Sequence, residues 1–439
     1  MMHFNFIRPL LLVLLISFFI PRLSAQEPAE IIPPTDACYE CHIDMDLDQD
    51  EVNQLFTHYL NDIHFQRGLL CSDCHGGDPE AFDEEDDAMW ENDTYLGEIS
   101  PNGEIAMCGK CHSDPAFMRK YSVSVSTDQE SQYWTSKHGQ SLKEGNLKVA
   151  TCTDCHGVHG ILAVDNPNSS VYDSNVPKTC SMCHSSESYM KGILETTSQY
   201  DDYVKSVHGK ALLEREEISA PACNDCHGNH GAAPPEVSSI NEICGSCHAQ
   251  NRDLFQKSHL ASVFKKEGLP QCESCHGNHY IVKPSDDFLN WESASGAVCL
   301  KCHEDGGKAK LLADQLFHVI DSLKINLDSA KVLIEKAEIK GMEISDLYFE
   351  LEDAHNALIH SRTSVHSFDS TFVRSTAQPG FVASNNAKIG AKKALEEFEF
   401  RRFGLFVASF IITLLVILLY LKVKVFEKMK EKEKKNEKI

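Results

Sequence analysis

The most chemically informative feature of this sequence is a five-residue string, Cys-x-x-Cys-His, that occurs nine times between Cys38 and His303. The nine copies use all 18 cysteines of the chain, so no thiol remains for a disulfide, a nucleophile or a separate metal site. Two such thiols can form thioethers with both vinyl groups of one porphyrin, and the following imidazole can bind its iron. The alternative is a set of zinc ribbons, which would not need a histidine after every second cysteine. The pattern therefore predicts nine c-type haems.

The predicted attachment residues form two sets. The thioether cysteines are Cys38, Cys41, Cys71, Cys74, Cys108, Cys111, Cys152, Cys155, Cys180, Cys183, Cys223, Cys226, Cys244, Cys247, Cys272, Cys275, Cys299 and Cys302. The proximal iron ligands are His42, His75, His112, His156, His184, His227, His248, His276 and His303.

Histidines outside the motifs are candidates for the second axial position on each iron. A lone histidine is more often a surface or core residue than a ligand. Several of these histidines, however, recur at equivalent positions in successive repeats, which favours ligation. In the first repeat His64 competes with His58 for this role. The candidate distal ligands are His58, His138, His159, His208, His230, His259, His279, His355 and His366.

The motifs after the first fall into four similar blocks of two, at about residues 54–112, 133–184, 203–248 and 255–303. The last three blocks open with an aromatic residue and a histidine, and their first motif continues as Cys-His-Gly-x-His. Internal repetition of this kind predicts a quasi-linear stack of similar units. The Gly-x-His histidine lies too close to its own motif to reach the far face of the same haem comfortably. We expect it to bind a neighbouring iron and to fix adjacent haems as a pair.

Length and charge limit the fold and the partners. The chain has 439 residues, enough for two or three domains. The region 26–305 offers about thirty residues per motif, too few for a conventional apolar core around each haem. We expect a mainly α protein with extensive loops and little β structure, in which stacked haems form much of the core. A net charge of −24 argues against nucleic acid and favours basic redox partners or simple solubility.

Residues 306–400 carry no motif, and apolar residues at threes and fours predict a helical hairpin or bundle. The first helix begins near Lys308, and Gly341 separates it from the second, which covers about 344–366. The third starts near Ser384 and continues into a membrane span. On the second helix, His355 and His366 return to one face with Arg362 between them. This face suits two distal ligands with Arg362 on a haem propionate, or alternatively the polar edge of a helical hairpin.

Both ends of the chain carry predicted membrane signals. Residues 1–25 read as a secretory signal peptide, with an uncleaved N-terminal anchor as the alternative. Residues 401–421 predict one transmembrane helix, followed by a lysine-rich tail over 422–439. The positive-inside rule places this tail in the cytoplasm and the haem domain in the periplasm, as a single-pass protein of the inner membrane.

Over residues 38–303 the sequence resembles multihaem c-type cytochromes of bacterial respiratory chains, and its blocks resemble their dihaem repeat. The helical region is loosely similar, in order and helicity, to the C-terminal helices of the octahaem hydroxylamine oxidoreductase and nitrite reductase group. Membrane-bound quinol-oxidising tetrahaem cytochromes are a second comparison, but their anchor is N-terminal. The resemblance implies nine haem c groups and redox partner proteins, among them a quinol-oxidising membrane complex.

Two functions follow from these features. The first is electron transfer between a membrane respiratory donor and a periplasmic or outer redox partner. The alternative is an oxidoreductase acting on nitrite, hydroxylamine or tetrathionate at one haem with an open position. Pentahaem nitrite reductases replace the motif histidine with lysine at that haem, whereas all nine motifs here end in histidine. No catalytic residue is therefore predicted, and a carrier is favoured over a stand-alone enzyme.

Overall fold

The computed structural model describes residues 36–44, 56–82, 89, 94–232, 238–293, 296–304 and 306–436. The predicted signal peptide lies outside these residues. The described chain is almost wholly helices and loops, and its β structure amounts to one isolated bridge between Lys191 and Leu194. The predicted fold class, mainly α with extensive loops and a helical region after the last motif, is confirmed.

The chain divides into an N-terminal unit, residues 1–175, and a C-terminal unit, residues 176–439. The described α-helices of the N-terminal unit are Ala37–Asp44 (α1), Ile63–Gln66 (α2), Cys71–His75 (α3), Pro101–His112 (α4), Pro115–Met118 (α5), Gln129–Tyr133 (α6), Lys137–Lys143 (α7) and Cys152–His156 (α8).

The described α-helices of the C-terminal unit are Val176–His184 (α9), Glu187–Met190 (α10), Gln199–Lys205 (α11), Val207–Glu214 (α12), Cys223–His227 (α13), Ser238–Cys247 (α14), Ala249–Lys257 (α15), His259–Glu267 (α16), Glu273–His276 (α17), Gly307–Ile339 (α18), Ser345–Ser364 (α19) and Ser370–Asn436 (α20). Three 3-10 helices cover Asp286–Phe288, Val298–Lys301 and Val365–Ser367.

Three of the motifs form one-turn helices that begin at the first cysteine, and their sequence explains both ends. The third residue of the motif is an aspartate, Asp73, Asp154 or Asp225, whose carboxylate accepts the N–H of the residue before the first cysteine at 2.7 Å. An acidic side chain also suits the positive end of the helix dipole. Each helix stops at a glycine with positive φ immediately after the histidine.

Apolar clusters in the motif-bearing region are small. One joins Ile105, Tyr133 and Leu142, and another joins Val176 to Tyr203 and neighbouring residues. Each of these clusters contains only three or four buried residues, which agrees with a region too short per motif to build a conventional core.

The larger apolar cores lie in a three-helix bundle of α18, α19 and α20. At one end Leu316, Ile320, Leu323, Leu358 and Val373 are buried together. At the other end the cluster contains Ala330, Ile334, Ala337, Ile344, Ala387 and Ala391. The turn between α18 and α19 contains Gly341 at φ 71°, where the sequence predicts the helix break.

The third bundle helix begins earlier than predicted, at Ser370 rather than near Ser384. Pro379 and Gly380 are helix-weakening residues that argue against helix in the sequence. A side chain at Gly380 would approach Ala357 Cβ to 2.8 Å, so this glycine permits close packing of α20 on α19. The packing therefore outweighs the poor local propensity. Within the described residues, α20 is the one helix long and apolar enough to cross a membrane.

Candidate haem sites

A recurring local structure holds the histidine that opens a block. In the second block, Tyr133 donates its hydroxyl hydrogen bond to the Ala150 carbonyl, 2.9 Å away and just before the next motif. Ser136 Oγ accepts the N–H of Gly139 at 3.0 Å and caps helix α7. His138 is the second residue of that helix, so its position is fixed relative to the motif that follows.

The third block repeats this structure with the same spacing. Tyr203 donates to the Pro221 carbonyl at 2.9 Å, and Ser206 caps α12 by accepting the N–H of Gly209 at 3.0 Å. His208 is again the second helical residue. A Cβ on Gly209 would lie 2.0 Å from the Tyr203 carbonyl oxygen, so the close turn requires glycine after the histidine.

The first block has the same structure around His64 rather than His58. Tyr59 donates to the Leu69 carbonyl at 3.0 Å, and Asp62 replaces the capping serine of α2. The spacing Tyr59, Asp62, His64 equals the spacing of tyrosine, serine and histidine in the second and third blocks. His58 lies one residue before this tyrosine and is exposed. The structure thus gives His64 the position for which the sequence favoured His58.

The fourth block is shifted by one residue. Ser258 caps α16 after Phe255, as expected, but His259 is the first residue of the helix and is exposed. Leu260 stands where the other blocks have the histidine. Since one residue turns a helix by about 100°, His259 leaves the helix in a different direction from His208.

Five motif histidines lie opposite a histidine from another element at a common distance. The ring-centre separations are 5.9 Å for His75 and His159, 6.0 Å for His64 and His112, 6.0 Å for His227 and His279, 6.3 Å for His208 and His248, and 6.1 Å for His276 and His366.

These separations match the size of a six-coordinate iron. A metal-bound imidazole nitrogen lies ~2 Å from the metal and its ring centre ~1 Å further away, so two axial imidazoles on one iron have ring centres ~6 Å apart. In each pair one histidine follows two cysteines that can form thioethers. The residues present therefore fit a haem c group held between the two rings.

Four of the five pairs follow two rules within the repeats, and the fifth pair is an exception. A block-opening histidine faces the second motif of its own block, as His64 faces His112 and His208 faces His248. A Gly-x-His histidine faces the first motif of the preceding block, as His159 faces His75. The predicted reach of these histidines to a neighbouring motif is thus present in the geometry.

Backbone hydrogen bonds fasten the same neighbouring blocks together. The N–H of Ile63 donates to the Ile161 carbonyl at 2.8 Å, and the N–H of Val207 donates to the Ile281 carbonyl at 2.7 Å. Each bond joins the residue beside an opening histidine to the residue two positions after a Gly-x-His histidine. One contact thereby positions two candidate ligands.

The exception is the first motif of the last block, for which no later block follows. Its histidine, His276, faces His366 from the 3-10 turn that ends α19. His355, predicted on the same helical face, is exposed on α19. His366, in contrast, is partly buried in the 3-10 turn that follows Ser364.

Arg362 binds a carboxylate of the protein. Its guanidinium donates two hydrogen bonds to Asp286, at 2.9 and 2.7 Å, and Lys324 lies 3.7 Å from the same carboxylate. Asp286 belongs to the same 3-10 helix as Phe288, whose ring centre lies 5.6 Å from the ring centre of His276. The bidentate pair therefore secures the bundle beside His276, whereas the sequence offered a haem propionate or the polar edge of a helical hairpin for Arg362.

The surroundings favour the neutral imidazole that a metal needs. Burial lowers the pKa of the histidine side chains in several pairs, because the charged form loses hydration. This applies to His75, His159, His208, His276, His279 and His366. Burial likewise lowers the pKa of His138. The remaining candidate, His230, lies in the loop after α13, at the position equivalent to that of His279.

Two of the facing histidines have a hydrogen-bond acceptor at Nδ1 that fixes the ring. His64 Nδ1 lies 2.9 Å from Oδ1 of Asp62, which is 3% exposed. His366 Nδ1 lies 2.9 Å from the Thr363 carbonyl. Both contacts leave Nε2 for a metal, and acceptors of this kind raise the basicity of an imidazole ligand.

Consecutive motifs are neighbours within each unit. The side chains of Cys108 and Cys152 are close neighbours in the N-terminal unit. In the C-terminal unit the same contact joins the first cysteines of the fifth and sixth motifs, and those of the seventh and eighth. Helix contacts join the first motif to the second and the sixth to the seventh. Lys301 of the ninth motif donates to the Cys275 carbonyl of the eighth at 3.1 Å. Within each unit, the order of the motifs in space thus follows their order in the chain.

Two further observations bear on the cofactor. Within the described part of the chain, no three His, Cys, Asp or Glu side chains gather as a metal centre made only of protein would need. The buried indole N–H of Trp291, packed near Cys299, has no acceptor among the described residues, and a haem propionate would supply one.

Comparison with known proteins agrees with this geometry. A family model described as cytochrome c3 matches residues 63–187 and 216–304. A curated protein of Shewanella baltica (strain OS185), named multiheme cytochrome MtrA, is 26% identical over 226 residues, which make up 49% of this chain and 53% of that relative. The chain thus spans about half the length of this relative. No solved structure matches the present chain. With its repeated attachment motifs, these similarities identify the chain as a multihaem c-type cytochrome.

Proposed function

We propose that the chain binds nine haem c groups and that five of the irons have two axial histidines. The main observation in support of this proposal is that the ring centres of five histidine pairs are 5.9 to 6.3 Å apart. The proposed ligand pairs are His75 with His159, His112 with His64, His227 with His279, His248 with His208, and His276 with His366.

We further propose that the protein carries electrons between redox partner proteins. The haem supplies one-electron chemistry, while the chain fixes the spacing, axial ligation and surroundings of each group. Support comes from consecutive motifs that are neighbours in space within each of the two units, since electron transfer needs short distances between centres. Support also comes from the axial pairs, because an iron with two protein ligands offers no position for a substrate.

The proposed location is the inner membrane. Helix α20 supplies one span, the lysine-rich tail lies in the cytoplasm, and the motif-bearing region lies in the periplasm. The electron donor or acceptor on the membrane side is then a respiratory membrane complex, and the other partner is a periplasmic or outer redox protein.

The ligand assignment is tested with the intact haem-loaded protein. His279→Ala should convert one iron in nine from low spin to high spin in the oxidised optical and EPR spectra, and added imidazole should restore the low-spin signal. The matched control is His355→Ala, an exposed histidine of the same unit, which should leave the spectra unchanged. Equal spectra for the wild type and His279→Ala would contradict the assignment.

The number of haems and the function have their own measurements. A haem-to-protein ratio of nine, from a haemochrome assay and the intact mass, is expected. Wild-type protein should be low spin at the five assigned irons. A high-spin iron that binds nitrite or hydroxylamine and turns it over would instead support the alternative, an oxidoreductase of small nitrogen compounds.

A further inference from the structure

The three-helix bundle has one end at a proposed haem and the other at the proposed membrane span. The turn that holds His366 contacts the beginning of α20 at Ser370. The apolar stretch of the same helix begins at Phe403. These 33 helical residues extend ~50 Å at about 1.5 Å per residue.

The other two helices accompany α20 to the edge of this apolar stretch. Ile334 and Ala337 of α18 pack with Ala391 of α20, and Lys340 forms an ion pair with Glu399 at 3.3 Å. Glu399 is only four residues, or ~6 Å along the helix, before Phe403. The turn between α18 and α19 therefore ends level with the start of the apolar stretch.

The surface at this end has the composition of a membrane interface. Ile339, the last residue of α18, is 85% exposed beside Lys336 and Lys340. On α20, Phe400 is 77% exposed, and the two arginines that follow it pair with Glu397 and Glu399. Exposed apolar and aromatic side chains beside long basic side chains, next to a membrane span, are typical of the headgroup region.

We infer that this end of the bundle, formed by Lys336, Ile339, Lys340, Phe400 and the two arginines, rests on the headgroups of the bilayer that α20 enters. The occupant of the surface is lipid, because the surface continues directly into the span and exposes the large apolar side chains of Ile339 and Phe400 beside it. The bundle is then a spacer that holds the haem between His276 and His366 ~50 Å from the bilayer. This inference rests on the proposed membrane span.

The spacer restricts the kind of redox partner. A haem held at this distance cannot exchange electrons directly with a quinol inside the bilayer, since electron tunnelling fails over such a gap. A membrane partner that serves this haem must carry its own redox centre on a domain that projects from the membrane by a similar height.

The test places a tryptophan at the inferred contact. Full-length haem-loaded Ile339→Trp is reconstituted into vesicles of anionic lipid with brominated acyl chains, and the wild-type emission is subtracted. Its matched control is Ile325→Trp, which is on the same helix, 57% exposed in the wild type, and 14 residues or ~21 Å further from the membrane. The brominated lipid should quench the added emission of Ile339→Trp and leave that of Ile325→Trp unchanged.

Three other outcomes would overturn the inference in distinguishable ways. Equal response of the two variants, in protein that resists carbonate extraction, would remove the bundle contact and leave the membrane span. Extraction by carbonate would remove the span itself. In the third outcome, the added tryptophan escapes quenching by brominated lipid and becomes less accessible to solvent as the density of protein in the vesicle rises. That result would assign the surface to contact with a second copy of the chain.

Discussion

The buried contact between Asp62 and His64 predicts that one haem has a specifically lowered reduction potential. Asp62 accepts hydrogen bonds from the N–H and the ring of His64 and from the N–H of Ile161, at 2.8 to 2.9 Å. Burial acts to raise the pKa of Asp62, but the bonds from His64 and Ile161 outweigh it and hold the pKa below its usual value. The carboxylate is therefore ionised, and its charge favours ferric over ferrous iron at the His64 and His112 pair.

Asp62→Asn removes the charge and retains the shape, and its effect can be estimated. A hydrogen bond to a charged group contributes about 1.5–3 kcal/mol and a neutral one about 0.5–1.5 kcal/mol, so the change weakens this bond by about 1 kcal/mol. For a one-electron couple, about 1.4 kcal/mol corresponds to about 59 mV, which gives a rise of roughly 40 mV. The other haems should keep their potentials.

The assay is a potentiometric titration followed by EPR, because this haem should have its own signal. The rings of His64 and His112 are at 89°, whereas the other four pairs lie between 8° and 32°. Perpendicular axial rings make two iron d orbitals nearly equal in energy, so the ferric signal is far more anisotropic. The control is Asp114→Asn, which removes the same charge from an exposed site two residues after His112. An equal shift in both variants, or a fall in potential, would refute the reasoning.

The remaining predictions concern the elements that position the ligands. Gly209→Ala should destabilise the protein by about 1–3 kcal/mol, because its Cβ would meet the Tyr203 carbonyl oxygen, whereas Gly103→Ala, with 3.3 Å to its nearest neighbour, should change the free energy of unfolding by less than about 1 kcal/mol. Denaturant unfolding measures both, and equal values would contradict the close-turn argument. Arg362→Ala should cost about 1 kcal/mol and loosen His366, seen as a larger high-spin fraction, while Lys324→Ala should change neither. An unchanged spectrum in Arg362→Ala would show that the ion pair does not position the ligand.

The sequence predicted the structure correctly where one local pattern of residues determines it. The mainly helical fold and the break at Gly341 depend on nearby residues, and both are present in the structure. The reach of His159 to another motif followed from a simple steric argument.

The choice between His58 and His64 needed one more comparison within the sequence. The spacing from tyrosine to histidine is the same at Tyr59 and Tyr133, but an aspartate replaces the capping serine in the first block and conceals the match. That substitution is the signal which could have selected His64. Asp and Ser are interchangeable at a helix N-terminus because both accept a backbone N–H.

The role of His366 was less accessible. Its helical periodicity grouped it with His355, and only the end of α19 two residues earlier separates them. Its contact with His276 joins residues 90 positions apart and depends on how the bundle packs. The start of α20 at Ser370 was hidden for a similar reason, since packing on α19 outweighs Pro379.

The exchange of histidines between blocks makes the array extensible. Under the proposed ligand assignment, a block of this pattern supplies one histidine to its own second iron and another to the first iron of the preceding block. His366 takes the second role at His276, where no later block follows. An added or deleted middle block would therefore change the number of proposed haems by two and leave both ends of the series as they are.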